Sequence, residues 1–162
     1  MKKTLLFLLI FSASHVFSQN SIDWISLEQA KEKAKISNKN ILVYFYKKNC
    51  KYCIEMQKET LEDQEVISFI NNNFHAVKID SRTKDIIEYN SKKYSNQQPI
   101  SDGEWFGHDF YFEVCQYEKD KRTTPTIVIF DQNFKKINCG PNGVLAGQYS
   151  KQRLLRTAKN CF

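Results

Sequence analysis

The sequence predicts an α/β domain with a mixed central sheet flanked by helices. Two observations lead there. From residue 26 to residue 80, amphipathic stretches alternate with short apolar runs, and that alternation demands parallel strand pairing. Late in the chain, Thr126 to Phe130 and Lys135 to Cys139 flank the turn residues Asp131-Gln132-Asn133. Two strands so closely joined can only pair antiparallel.

Each element has its own local reason. Ser26 with Gln29 forms a capping-box pattern, and Leu27, Ala30 and Ala34 share one face, so residues 26–37 read as a helix. Ile41 to Tyr46 is a wholly apolar and aromatic run, short enough to be a buried strand. Residues 51–61 hold good helix formers, and residues 64–71 place Val66, Ile67 and Ile70 on one stripe. Phe74 to Ile79 is a second strand, ending at Asp80. Residues 84–94 read as a helix carrying Ile86, Ile87 and Tyr94. Residues 95–107, with Pro99, Gly103 and Gly107, read as loop, and residues 108–118 as a short helix bearing Cys115. Gly140 to Gly143 is a loop, and Ser150 caps a last helix through Ala158.

Composition narrows the class. The chain has 162 residues, 41% apolar and 26% charged, with 14% aromatic. That suits one soluble domain with a real core. The net charge is +6. The lysines are dispersed and form no arginine-rich block, so nucleic acid is not an expected partner.

Residues 1–18 carry Lys2 and Lys3, then the apolar run Leu5 to Phe11, then modest residues before Gln19. This is the order of a secretory signal peptide. The expected organisation is a signal peptide at 1–18 and one domain at 19–162, exported to a periplasmic or extracellular space. No stable membrane span is expected after cleavage, because the apolar run is short.

All five cysteines follow residue 18: Cys50, Cys53, Cys115, Cys139 and Cys161. An exported protein keeps disulfides, and an odd count leaves at least one thiol outside an intrachain pair. Cys50-Lys51-Tyr52-Cys53 is a C-x-x-C motif between a strand and a helix. A helix start favours an anion, so Cys50 is the expected nucleophile as a thiolate. Cys53, one turn later, is placed to attack a mixed disulfide. Lys47, Lys48 and Lys51 surround the pair and are expected to favour the thiolate electrostatically. Zinc needs a second ligand pair at metal spacing, and the other cysteines and His75 and His108 are scattered singly. No metal and no organic cofactor is expected.

The run Ile41 to Tyr46, the Cys50-x-x-Cys53 motif, the strand ending Ile79-Asp80, and Thr124-Pro125-Thr126 ahead of Ile127 to Phe130 together resemble the thioredoxin superfamily. The stretch Trp24 to Asn40 resembles exported thioredoxin-like proteins related to the C-terminal domain of DsbD. The resemblance implies a thioredoxin fold with a long insert, about residues 83–120, before the cis-proline strand. It makes Cys50 the attacking and Cys53 the resolving cysteine. It makes Pro125 the family's cis-proline, with Thr124 offering backbone groups to a substrate chain. Tyr44 stands where thioredoxin has a buried acid, so it joins the lysines as a residue tuning the pair. Placed on that fold, Cys115 and Cys139 are the expected structural disulfide. Cys161 is then carried roughly 16 Å away by the last helix.

The expected function is an exported protein thiol–disulfide oxidoreductase, with its redox direction unassigned. Its partners are protein thiols or disulfides and a redox partner protein. The alternative is a thioredoxin-fold binding or scaffold protein whose disulfide is structural or vestigial. The aromatic insert residues Trp105, Phe106, Phe110, Tyr111 and Phe112 are expected to pack on the core, with partner docking the competing role.

Overall fold

A computed structural model describes residues 20–97, 106–116, 122–139 and 143–161. The expected signal peptide, Trp105, and most of the loop at residues 140–143 lie outside the described residues.

The chain begins with β1 (Trp24–Ile25), then α1 (Leu27–Ile36) and β2 (Asn40–Tyr46). Helix α2 (Lys51–Met56) runs into wider turns at Gln57–Leu61, followed by α3 (Gln64–Asn73) and β3 (Phe74–Asp80). A separate hairpin, β4 (Ile87–Tyr89) and β5 (Lys92–Tyr94), precedes α4 (Asp109–Val114). Then come β6 (Thr126–Phe130), β7 (Val144–Ala146) and α5 (Lys151–Lys159).

The main sheet has the order β1-β3-β2-β6-β7. β3 lies parallel to β1 and β2, while β6 runs antiparallel to β2 and β7 antiparallel to β6. This is the mixed sheet the sequence predicts. Alternation along β2 divides the core in two. Leu42 and Tyr44 face α2, α3 and α5, whereas Ile41, Val43 and Phe45 face α1 and the insert. Helix starts follow local chemistry. Ser26 and Gln29 close the capping box, Asp63 accepts from Glu65 and Val66, and Ser150 accepts from Arg153.

Three expectations are corrected. Residues 84–94 are not a helix. Asn90 and Ser91 adopt positive φ of 50° and 60°, the backbone of a tight hairpin turn. Ile87 and Tyr89 then face inward while Glu88 faces out, a strand's period of two.

Lys135 to Cys139 is not the partner strand of β6. It contributes a single bridge, Phe130 to Lys136, made by the Ile137 amide donating to the Ile129 carbonyl and the Asp131 amide donating to the Lys135 carbonyl, both at 2.8 Å. The chain then leaves the sheet, and β7 takes the edge instead, with Val144 beside Val128 and Ala146 beside Thr126.

The disulfide joins Cys139 to Cys161, not Cys115 to Cys139, with Cα atoms 5.0 Å apart. The reason is topological. Ile137 bonds to Ile129 near the Phe130 end of β6, whereas Ala146 lies beside Thr126 at its other end. Helix α5 then returns, covering roughly 14 Å in nine residues. That brings Cys161 back beside Asn40, whose Nδ2 donates to the Cys161 carbonyl at 3.0 Å. Cys115 is a free thiol, fully buried at the end of α4.

Candidate functional site

The C-terminal end of β2 and the start of α2 set the site. β2 ends at Tyr46, and a short turn delivers Cys50 as the residue that caps α2. Its Sγ accepts the Cys53 amide at 3.2 Å, and its carbonyl accepts from Cys53 N and Ile54 N at 3.0 and 3.1 Å. Cys50 is half-buried and reaches the surface, while Cys53 is buried one turn behind it. Both are free thiols, so the structure shows the reduced pair.

The start of β6 completes the site from the other side. The Thr124–Pro125 peptide bond is cis. The Thr124 carbonyl lies 3.4 Å from Cys50 Sγ and can accept its S–H. The Thr124 hydroxyl lies 3.8 Å from the same sulfur and can donate to it. The first cysteine, Thr124 and Pro125, more than 70 residues apart in sequence, therefore meet at one point.

The two sulfurs sit in different environments. Burial pushes the Cys53 thiol up to about 12, and the adjoining Cys50 thiol adds to that rise. The Lys47 backbone and the Thr124 hydroxyl oppose it. Cys53 is thus held protonated at neutral pH. Tyr44 is also buried, and its hydroxyl donates to the Cys53 carbonyl at 3.3 Å. Burial first, then the nearby Cys53 and Cys50, hold the phenol far above its ordinary range. Tyr44 consequently fixes the second cysteine's backbone and keeps its proton.

The lysines are spread around the site. Lys51 is exposed and lies 3.7 Å from Glu55, an acid one turn along the same helix. Lys47 and Lys48 line a cleft with Tyr44, Tyr46 and Cys53. Sequence reasoning missed Lys78, which stands opposite Tyr44 in the parallel register of β2 and β3. Its Nζ lies 4.8 Å from the Tyr46 ring centre and donates to Gln57 Oε1 at 3.2 Å. The alternation that points Tyr44 and Tyr46 to one face would have flagged it once the register was known.

The insert is placed against the site. Phe110 and Tyr111 are buried, Phe110 packing on Phe130 and Tyr111 on Phe45. Those two follow the packing expectation. Phe112, half-buried, faces a cleft shared with Thr124. His75 Nε2 pairs with Ser37 Oγ at 2.8 Å. His108 is buried. Its Nδ1 accepts the Phe110 amide at 3.0 Å, so its Nε2 donates to the Asp85 carbonyl at 2.9 Å. Its role is to cap α4. Cys115 stays inert, since burial pushes its thiol well above the ordinary range.

Comparison with known proteins agrees with this architecture. A family model described as a thioredoxin-like domain matches residues 27–157. Among solved structures, the chain is similar to a DsbH oxidoreductase, with TM-score 0.58 and 18% identity over 93% of this chain and 91% of that one. It is similar to the same degree to a thioredoxin from Thermus thermophilus, with TM-score 0.58 and 18% identity over 87% and 88% of the two chains. At that identity these likenesses speak to the fold. An uncharacterized protein of Caenorhabditis elegans, B0495.5, is 36% identical over 64 residues, which span 39% of this chain and 9% of that protein. Among the described residues, no helix is long and apolar enough to cross a membrane.

Proposed function

This chain belongs to the thioredoxin-like domain family, and from that premise we propose that it is an exported protein thiol–disulfide oxidoreductase. One observation carries the reading. An accessible Cys50 stands within 3.4 Å of the Thr124 carbonyl, beside a cis-proline, with a buried thiol one turn behind it.

In the reducing direction, the Cys50 thiolate attacks one sulfur of a substrate disulfide. A Cys50–substrate disulfide forms, and the other substrate sulfur leaves as a thiolate and takes up a proton. Cys53 then gives up its proton and attacks Cys50 Sγ. The Cys50–Cys53 disulfide closes, and the substrate departs with both sulfurs reduced. Two electrons have passed from the protein to the substrate. The oxidising direction is the reverse sequence, and direction is set by the potential of the pair against its partner.

The environment of Cys53 supports this order of events. Its thiol is held protonated while Cys50 is free to react, so attack begins at Cys50. Thr124 sits where an extended substrate backbone would lie across Cys50, offering the backbone groups an added strand needs. The reading also includes export of the domain from residue 19, and kinship with exported proteins of the DsbD type.

Turnover decides between this reading and a binding protein with an idle pair. Insulin reduction and dithiol oxidation should both depend on Cys50, and Cys50→Ser should abolish them. Wild-type protein no faster than Cys50→Ser in either assay would leave only the binding role.

A further inference from the structure

Beside the cysteine pair lies a cleft of about 220 Å³, built half from the catalytic loops and half from the insert. Lys47, Thr124 and Arg122 line it from the first side, and Gly107, Tyr111 and Phe112 from the second. Thr124 lines the cleft, and its carbonyl is 3.4 Å from Cys50 Sγ, so the cleft lies one residue away from the reacting sulfur. A chain bonded to Cys50 and running along Thr124 passes it. An extended chain advances about 3.3 Å per residue, so the cleft faces a side chain within two positions of the substrate cysteine.

The wall is held in place. Phe110 and Tyr111 anchor α4 in the core, at 5.9 and 5.6 Å from the Phe45 ring. The Phe112 ring closes over Gly107, where a Cβ would fall 2.6 Å from a ring carbon. Only glycine admits the ring there. Arg122 lies over that ring, its guanidinium 5.3 Å from the ring centre, and its Nε donates to the Phe112 carbonyl at 3.0 Å. A fixed guanidinium stays charged and suits a planar carboxylate. Lys47 adds a second cation, and no carboxylate appears among the described residues lining the cleft.

We infer that this cleft selects substrates carrying an acidic side chain, Asp or Glu, next to the reacting cysteine, with Arg122 as the specificity-determining residue. The inference rests on the redox reading above and adds to it the class of substrate. Partly exposed charge pairs are each worth modest energies, so the expected preference is roughly five-fold for an acidic over an isosteric neutral neighbour. Added salt should shrink it.

The test uses short peptides joined by a disulfide, carrying Glu, Gln or Lys beside the cysteine. Their reduction rates are normalised to their rates with dithiothreitol, which removes intrinsic differences. Wild-type protein should prefer Glu over Gln roughly five-fold and disfavour Lys. Arg122→Gln should bring the Glu-to-Gln ratio close to one, and Arg122→Lys, which keeps the charge but loses the stack and the planar fork, should keep only part of it. Arg156→Gln, an exposed change on α5, should leave the ratio as in wild type. Equal wild-type rates for the three peptides, or a Glu preference that survives Arg122→Glu, would overturn the inference alone. If Cys50→Ser protein reduced all three peptides as fast as wild type, the redox reading would fall, and this inference with it. The wild-type ratio and its salt dependence decide the matter even if an Arg122 variant fails to fold.

Discussion

Removing the Cys139–Cys161 bridge should cost the fold a specific and measurable amount. The bridge closes a loop of 22 residues that contains β7 and all of α5. Constraining a loop of that length removes about 3.4 kcal/mol of unfolded-state freedom near 25 °C. For a domain of this size, that corresponds to a fall in Tm of roughly 10 °C. The Cys139→Ala/Cys161→Ala pair avoids burying new hydroxyls, and loss of packed sulfur acts in the same direction. The assay is urea and thermal unfolding of both proteins with Cys50 and Cys53 kept reduced. Wild type treated with a thiol strong enough to open the bridge should approach the double variant. A loss below about 1 kcal/mol would refute the chain-constraint reasoning. A Cys115–Cys139 bridge in non-reducing peptide maps would refute the pairing itself.

Other outcomes follow from the site's burial and charge. In reduced protein at neutral pH, a small alkylating reagent should label Cys50 quickly and leave Cys53 and Cys115, which are 4% and 0% exposed, nearly untouched. Equal labelling of Cys50 and Cys53 would contradict the division of roles. Reduced protein should lose stability as pH rises from 9.0 toward about 12, because the unfolded Cys53 gives up its proton in that window while the folded one keeps it. Urea midpoints should therefore fall less steeply with pH for Cys53→Ala than for wild type. N-terminal sequencing of exported protein should begin at Gln19, and an intact Met1 in an exported product would remove the signal-peptide assignment.

Much of the sheet was readable because its signals are local. Ile41 to Tyr46 could hardly be anything but a buried strand, and the structure extends it by one residue to Asn40. Ser26, Gln29 and Ser150 announced their helices through side chains that satisfy nearby amides. The β4–β5 hairpin was missed for a physical reason. Its turn uses Asn90-Ser91 in place of the usual Asn-Gly, and Ile86, at 66% exposure, imitates a helical stripe without being core. The last strand was misplaced because Val144 to Ala146 is only three residues long, while Lys135 to Cys139 carries the stronger turn signal.

The candidate site divides the same way. The cysteine pair and the Thr124–Pro125 dipeptide carry motifs, and the structure brings them together. Arg122, Phe112 and Gly107 carry no motif. They meet only because α4 docks its buried aromatics on β2 and β6. The fate of the disulfide depended on which end of the sheet starts α5, a fact set by the edge strand that the pattern misplaced.

The central claim is that Cys50 and Cys53 form a reversible dithiol–disulfide couple. Equilibrating the protein in glutathione buffers of graded potential, quenching with acid and mapping the bonds by mass spectrometry tests it most directly. The expected result is a single two-electron transition in which only the Cys50–Cys53 bond appears and disappears, with Cys139–Cys161 unchanged. A pair that never closes, or a Cys50–Cys53 bond that no glutathione ratio opens, would contradict it.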